Sequence, residues 1–108
     1  SVTDVADFLT PGMVPLSITL KVTTAITNNG FISKVGLDGD PDYFADSIGD
    51  GVVEDLNDTI TINGVGTWVD TGSWIASNDA LRLTTNANPT GGGVVRVSMV
   101  YIDGASLY

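Results

Sequence analysis

The chain has 108 residues, with four lysines and arginines against thirteen aspartates and glutamates, and it contains neither cysteine nor histidine. Without these two residue types it cannot form a disulfide, a Ser-His-Asp or Cys-His nucleophile, or the common kinds of zinc site. A formal charge of −9 argues against nucleic acid or an anionic membrane as a partner, because both require a cationic surface. We therefore expect residues 1–108 to form a single domain with no enzymatic activity and no cofactor.

The N-terminal residues combine apolar side chains without the alternation of a strand. Phe8 and Leu9 stand just before a Pro-Gly pair. We therefore predict that residues 1–13 form an arm that docks on a neighbouring molecule, with Phe8 and Leu9 as contacts.

The first clear strand covers residues 16–23, where apolar and polar residues alternate strictly. A period of two places four apolar side chains on one face, namely Leu16, Ile18, Leu20 and Val22. The Asn29-Gly30 pair that follows is typical of a type I′ turn, so it predicts a hairpin to the next strand.

One segment breaks the strand pattern and predicts a short helix. Asp40 suits the N-cap, Pro41 suits the first helical position, and Gly49 suits the stop. Phe44 and Ile48 are four residues apart, so they would share the buried face of this helix.

The same region is strongly acidic, because eight of the thirteen acidic residues lie between Asp38 and Asp58. Its first residues alternate acids as a calcium-binding loop does. However, Tyr43 stands where such a loop needs its glycine, and Gly49 stands where it needs its bidentate glutamate. We interpret residues 38–58 as a solvated acidic segment, with weak calcium binding as an open alternative.

Two tryptophans flank a predicted hairpin whose loop covers residues 70–73. Trp68 and Trp74 could stack on a sugar, which makes them candidate glycan contacts. Aromatic residues in strands are more often part of a core or an interface, since their burial is a large apolar gain.

The last predicted strand covers residues 94–102, after a glycine-rich loop. One face carries Val95, Val97, Met99 and Tyr101. The other face is also apolar, so we predict an oligomer or capsid contact there through Val94, Val100 and Ile102.

Shorter alternating runs occupy residues 59–62 and 81–84, with turn signals between the runs. Strands at short, regular spacing indicate an antiparallel fold. The prediction is an all-β, antiparallel β-sandwich or jelly roll of about seven or eight strands, with one short helix.

The order of these elements resembles the small jelly-roll or β-sandwich accessory proteins of tailed-bacteriophage virions. The resemblance is carried by a strand ending in Thr-Thr-Ala, an acidic loop, and a glycine-rich loop into a closing strand, in residues 14–25, 33–44, 72–76, 81–84, 90–97 and 100–102. It implies a non-enzymatic and usually trimeric part of the virus particle. The family has no shared catalytic residues to carry over.

The resemblance leads to two hypotheses. In the first, the chain is a homotrimeric decoration or cement protein that binds the major capsid protein. It would lie on the virion surface after synthesis in the bacterial cytoplasm. In the alternative, it is the head domain of a tail fibre and grips a host glycan through Trp68 and Trp74. A carbohydrate-binding module outside any virus is a weaker third interpretation.

Overall fold

A computed structural model of the chain describes residues 2–28, 30–63, 75, 78–86 and 92–103. Six strands lie within them: β1 (Val2–Leu9), β2 (Met13–Thr24), β3 (Ile32–Leu37), β4 (Thr59–Asn63), β5 (Asp79–Thr85) and β6 (Val94–Asp103). They form two antiparallel three-stranded sheets in the orders β1-β5-β3 and β4-β2-β6. The fold is therefore all-β and consistent with the predicted β-sandwich. The described residues contain no helix that could cross a membrane.

The two central strands supply the middle of the core. Their inward side chains are almost completely buried, and these are Ile18, Leu20 and Val22 on β2 with Leu81 and Leu83 on β5. The predicted alternation of the first clear strand thus holds from Ile18 onward. Leu16 is only half-buried, because a bulge between Pro15 and Ser17 leaves it without a partner on β6.

The N-terminal segment is a strand and not the predicted docking arm. β1 pairs antiparallel with β5 from Val2 to Val5 and again at Leu9. Leu9 is fully buried within the chain, which leaves it no surface for the predicted contact, whereas Phe8 is half-buried and packs against the core. The register shift between Val5 and Leu9, with a left-handed backbone at Asp7 (φ 56°), interrupts the alternation that would have indicated a strand.

The predicted hairpin at Asn29-Gly30 is also wrong. The strands on either side of it, β2 and β3, belong to different sheets, so this connection crosses the sandwich. Gly30 donates a backbone hydrogen bond to the Thr27 carbonyl (3.0 Å), and Asn28 has a φ of 55°. Asn and Gly favour the left-handed backbone of any tight turn, and the pair therefore does not specify a hairpin.

The predicted helix from Asp40 to Gly49 is absent from this fully described segment. The chain instead forms a turn and then an antiparallel bridge between Ala45 and Val35 of β3. Phe44 and Ile48 are buried as expected, but from an extended chain. The free edge of β3 offers hydrogen bonds to this segment, and that tertiary pairing replaces the local helical ones.

We call residues 38–58, which join β3 to β4, the acidic connection. Backbone hydrogen bonds attach it to β3, to the end of β2 and to the connection between β2 and β3, which we call the crossing segment. Examples are Ile32 N–H to Val53 O (3.1 Å) and Ile26 N–H to Glu54 O (2.9 Å). Three of its apolar residues enter the core, namely Phe44, Ile48 and the fully buried Val53. The acidic connection thus covers one side of the sandwich, which we call the closed side.

Several predictions fall outside the described residues. They include both tryptophans, the hairpin between them, and most of the glycine-rich loop before β6. Next to this part, Ile75 exchanges backbone hydrogen bonds of 2.9 Å with Gly12 and Met13.

Candidate functional site

No described segment covers the opposite side of the sandwich, which we call the open side. A cleft of about 250 Å³ lies between the edge strands β1 and β6. Its described lining is mostly aliphatic and comes from β1, β3, β5, β6 and the two segments beside them: Thr3, Val5, Ile26, Ile32, Leu83, Thr85, Gly92, Gly93, Val95 and Val97. None of these side chains ionises near neutral pH. The cleft is therefore suited to apolar contact and not to acid–base chemistry.

Two glycines allow the chain to enter β6 close to the crossing segment. Gly92 and Gly93 both have positive φ, 74° and 93°. A Cβ on Gly93 would lie 3.1 Å from Ile26, and one on Gly92 would lie 3.0 Å from the Thr27 methyl group. Glycine at these positions keeps this end of the cleft narrow without a steric clash.

An apolar surface lies beside the cleft on β6. Val94, Val100 and Ile102, which the sequence analysis selected, are 55%, 60% and 43% exposed. Tyr101 is 45% exposed, although the alternation predicted it to be buried. Val95, Val97 and Met99 on the inner face are only half-buried. We call Val94, Val100, Tyr101 and Ile102 the β6 patch.

Arg82 is the main electrostatic link across the sheet of β1, β5 and β3. Its guanidinium donates two hydrogen bonds to the Asp4 carboxylate on β1 (2.8 and 2.9 Å) and forms an ion pair with Asp38 (2.6 Å). The hydrogen bonds from Arg82 hold the pKa of Asp4 below its ordinary value.

The acidic connection carries mutual repulsion. A hydrogen bond with Asp42 raises the pKa of the Asp40 carboxyl, because the shared proton favours its neutral form. Burial raises the pKa of Glu54, and the charge of Asp50 adds to this. Asp58 uses its carboxylate to accept the backbone N–H groups of residues 54 and 55 (3.2 and 2.8 Å).

The described acids form no group of three that could hold a metal ion. Calcium binding by residues 38–58 therefore gains no structural support within the described part. Trp68 and Trp74, the candidate glycan contacts, lie outside that part. The structure brings together only Val94, Val100 and Ile102 of the predicted site residues, and it adds Tyr101 and the cleft.

The cleft escaped sequence reasoning because its lining comes from separate elements, each of which supplies only one or two residues. The sequence signal for the cleft was the pair Gly92 and Gly93 immediately before β6, which the sequence alone indicated only as part of a loop. Comparison of the chain with protein-family models, with curated proteins and with solved structures found no match. The functional argument therefore depends on the residues of this chain.

Proposed function

We propose that this chain is a non-enzymatic structural protein of a tailed-phage virion, a decoration or cement protein that attaches to the major capsid protein by its open side. The observation that carries the proposal is the β6 patch, an exposed apolar surface beside an apolar cleft. Exposed apolar residues of this kind favour a protein–protein contact, since leaving them in water is unfavourable.

The chemistry of the chain supports a structural role. Neither histidine nor cysteine is present in the sequence, so the usual nucleophiles and proton shuttles cannot be assembled. The cleft offers aliphatic side chains and threonines, which can form a contact but cannot transfer a proton near neutral pH. The assignment to a virion depends only on the resemblance to the phage accessory proteins.

The distribution of charge supports the orientation. The acidic connection bonds to β3, while the cleft lies beside β1 at the other edge of the same sheet. Attachment through the open side would therefore leave the acidic connection facing solvent. A surface rich in acidic residues keeps an exposed protein soluble and resists nonspecific association.

The proposal includes the finer expectations from the resemblance. These are a jelly roll of seven or eight strands and a place on the virion surface after synthesis in the host cytoplasm. The resemblance also implies a homotrimer. Static light scattering of the purified protein separates a trimer from a monomer or a dimer.

The direct test uses phage particles that lack the protein. Their heads should lose a surface feature in electron micrographs, should open at lower temperature than complete heads, and on dilution should open at higher ionic strength than complete heads. Antibody labelling of complete particles should mark the heads. Labelling of the tail tip alone would reject the capsid role, and binding to a host glycan would favour the tail-fibre alternative.

Adding purified variants back to the deficient heads tests the attachment surface. Val100→Lys places a charge in the β6 patch and should abolish binding and protection. Leu56→Lys is the matched control, because Leu56 in the acidic connection is equally exposed (59% against 60%). Equal binding by both variants would reject attachment through the open side.

A further inference from the structure

The four edge strands of the described sheets differ in how they are protected from pairing with another chain. β1 carries Asp4 and Asp7 and a register shift, β3 is covered by the acidic connection, and β4 has only five residues. Charges, bulges, coverage and short length all prevent edge-to-edge pairing. β6 has ten residues, lies at the edge of its sheet, and no described residue pairs with its outer edge.

We propose that two copies of this chain pair through β6, antiparallel about a two-fold axis at Ser98. The two sheets then merge into one six-stranded sheet with the order β4-β2-β6-β6-β2-β4. The outer backbone groups of residues 94–102, which pair with no described residue, become a ladder of about nine residues, roughly 30 Å long.

The sequence of β6 is self-complementary in this register. On the outer face, Val94 lies opposite Ile102 of the second copy. On the inner face, Val95 lies opposite Tyr101, and Val97 lies opposite Met99. Directly opposite side chains in an antiparallel pair pack together, and aromatic and β-branched pairs stabilise such sheets. Tyr101, which pairs with Pro15 of β2 in its own sheet, gains a second cross-strand neighbour.

The charge on β6 favours the same register. Arg96 already lies opposite Lys21 of β2, and neither residue forms an ion pair with a described residue. With Ser98 on the axis, Arg96 lies opposite the uncharged Val100 of the second copy. An axis at residue 96 would instead place the two arginines together, which is unfavourable.

Neighbouring registers leave apolar residues without apolar partners. An axis at Met99 places Asp103 opposite Val95 on the inner face. An axis at Val97 places Tyr101 opposite Gly93. A shift of the pairing by an odd number of residues would place the inner face of one copy on the outer side of the merged sheet. The registers with the axis at Met99 or Val97 are therefore the nearest alternatives to the axis at Ser98.

The pairing also accounts for the open side. Val95 and Val97 line the cleft and stand on its β6 rim. The Tyr101 and Met99 side chains of the second copy would extend this rim and reduce its exposure to water. The inference depends on β6 and not on the virion proposal, and it specifies a two-fold contact in place of the three-fold contact implied by the resemblance.

The absence of cysteine from the chain makes a cross-linking experiment clean. Ser98→Cys should give a disulfide-linked dimer under mild oxidation, because the two thiols would face each other within disulfide range. Thr61→Cys is the matched control, since Thr61 and Ser98 are both exposed and both face Thr19, on β4 and β6 respectively. It should stay monomeric on a non-reducing gel.

Two further cysteine variants test the register. Arg96→Cys and Val100→Cys should each fail to cross-link alone and should form a dimer when mixed. Ser98→Lys, which brings two lysines together on the axis, should convert a light-scattering dimer to a monomer, while Thr61→Lys should not. A wild-type monomer or trimer at high concentration, or equal cross-linking of Ser98→Cys and Thr61→Cys, would overturn the proposal. Loss of capsid binding alone would leave it intact.

Discussion

The core of this sandwich is covered differently on its closed side and its open side. On the closed side, the acidic connection crosses the gap, bonds to the backbone of β3 and inserts Phe44, Ile48 and Val53 into the core. On the open side, no described segment crosses between β1 and β6, and the inner residues of β6 stay half-buried. Within the described residues, the core is thus completed on the closed side and stays partly uncovered on the open side.

The difference shows that charge and burial can coexist in one segment. The acidic connection contains most of the acids, but its Phe44, Ile48 and Val53 are nearly as deeply buried as the inward residues of the central strands. β6 has few charges, yet more of its apolar surface is exposed. The positions of charged residues along the sequence therefore do not show which surface is available for contact.

The largest effect is expected where the acidic connection crosses β3 most closely. A Cβ at Gly36 would clash with the backbone of Asp40 and Pro41, which cannot move aside as a flexible side chain can. Gly36→Ala should destabilise the fold by about 3 kcal/mol, measured by urea denaturation. Gly39→Ala is the control, since a Cβ there meets no atom within 4 Å. Similar unfolding midpoints for the two variants would contradict the tight crossing.

The next effect compares the two sides with one kind of substitution. Val53→Ala on the closed side should cost about 2.5 kcal/mol, because it removes fully buried methyl groups and leaves a cavity. Val97→Ala on the open side should cost about 1 kcal/mol in the monomer, because Val97 is half-buried. Denaturation at low protein concentration checks both. A Val97→Ala cost equal to that of Val53→Ala would mean that the open side is as well packed as the closed one.

A smaller effect concerns the link that holds β1 beside the cleft. Asp4→Asn should lower the melting temperature at pH 7, because Arg82 loses one of its two carboxylate partners and keeps only Asp38. The pKa of Asp4 is lowered by folding, so its contribution to stability is present above the unfolded pKa of about 3.9 and is lost as the pH falls through the lower folded value. The gap from wild type should therefore narrow in acid. Asp7→Asn, on the same strand, should melt as the wild type does.

The smallest effect is a gain in stability on the closed side. Folding raises the pKa of Glu54, so its contribution to stability is present below the unfolded pKa and is lost as the pH rises through the folded value. Glu54→Gln should therefore raise the melting temperature at pH 7 and match the wild type near pH 4, in calorimetric scans. Asp7→Asn removes the same net charge elsewhere and serves as the control. A gain of equal size from Asp7→Asn would point to overall charge instead of local repulsion.

The parts of the fold that could be predicted depend on local pattern. Alternation identified most of β2 and β6, since a strand places every second side chain on the same face. It also placed Phe44 and Ile48 in the core, although the helix around them was wrong. It failed at β1, where the shift between Val5 and Leu9 removes the period of two.

The candidate site was predictable in the same limited way. Val94, Val100 and Ile102 were identified by the apolar outer face of their strand, and all three are exposed. The buried position of Leu9 depends on the pairing of β1 with β5, which the chain near Leu9 does not encode.

By itself, the sequence determined an antiparallel all-β chain, an acidic central segment, and a last strand apolar on both faces. These are consequences of residue type and short-range period. Only the tertiary structure decided which strands share a sheet, that the acidic connection closes one side, and that a cleft opens between β1 and β6. Those features arise from hydrogen bonds and packing between residues far apart in the chain, and no local pattern specifies them.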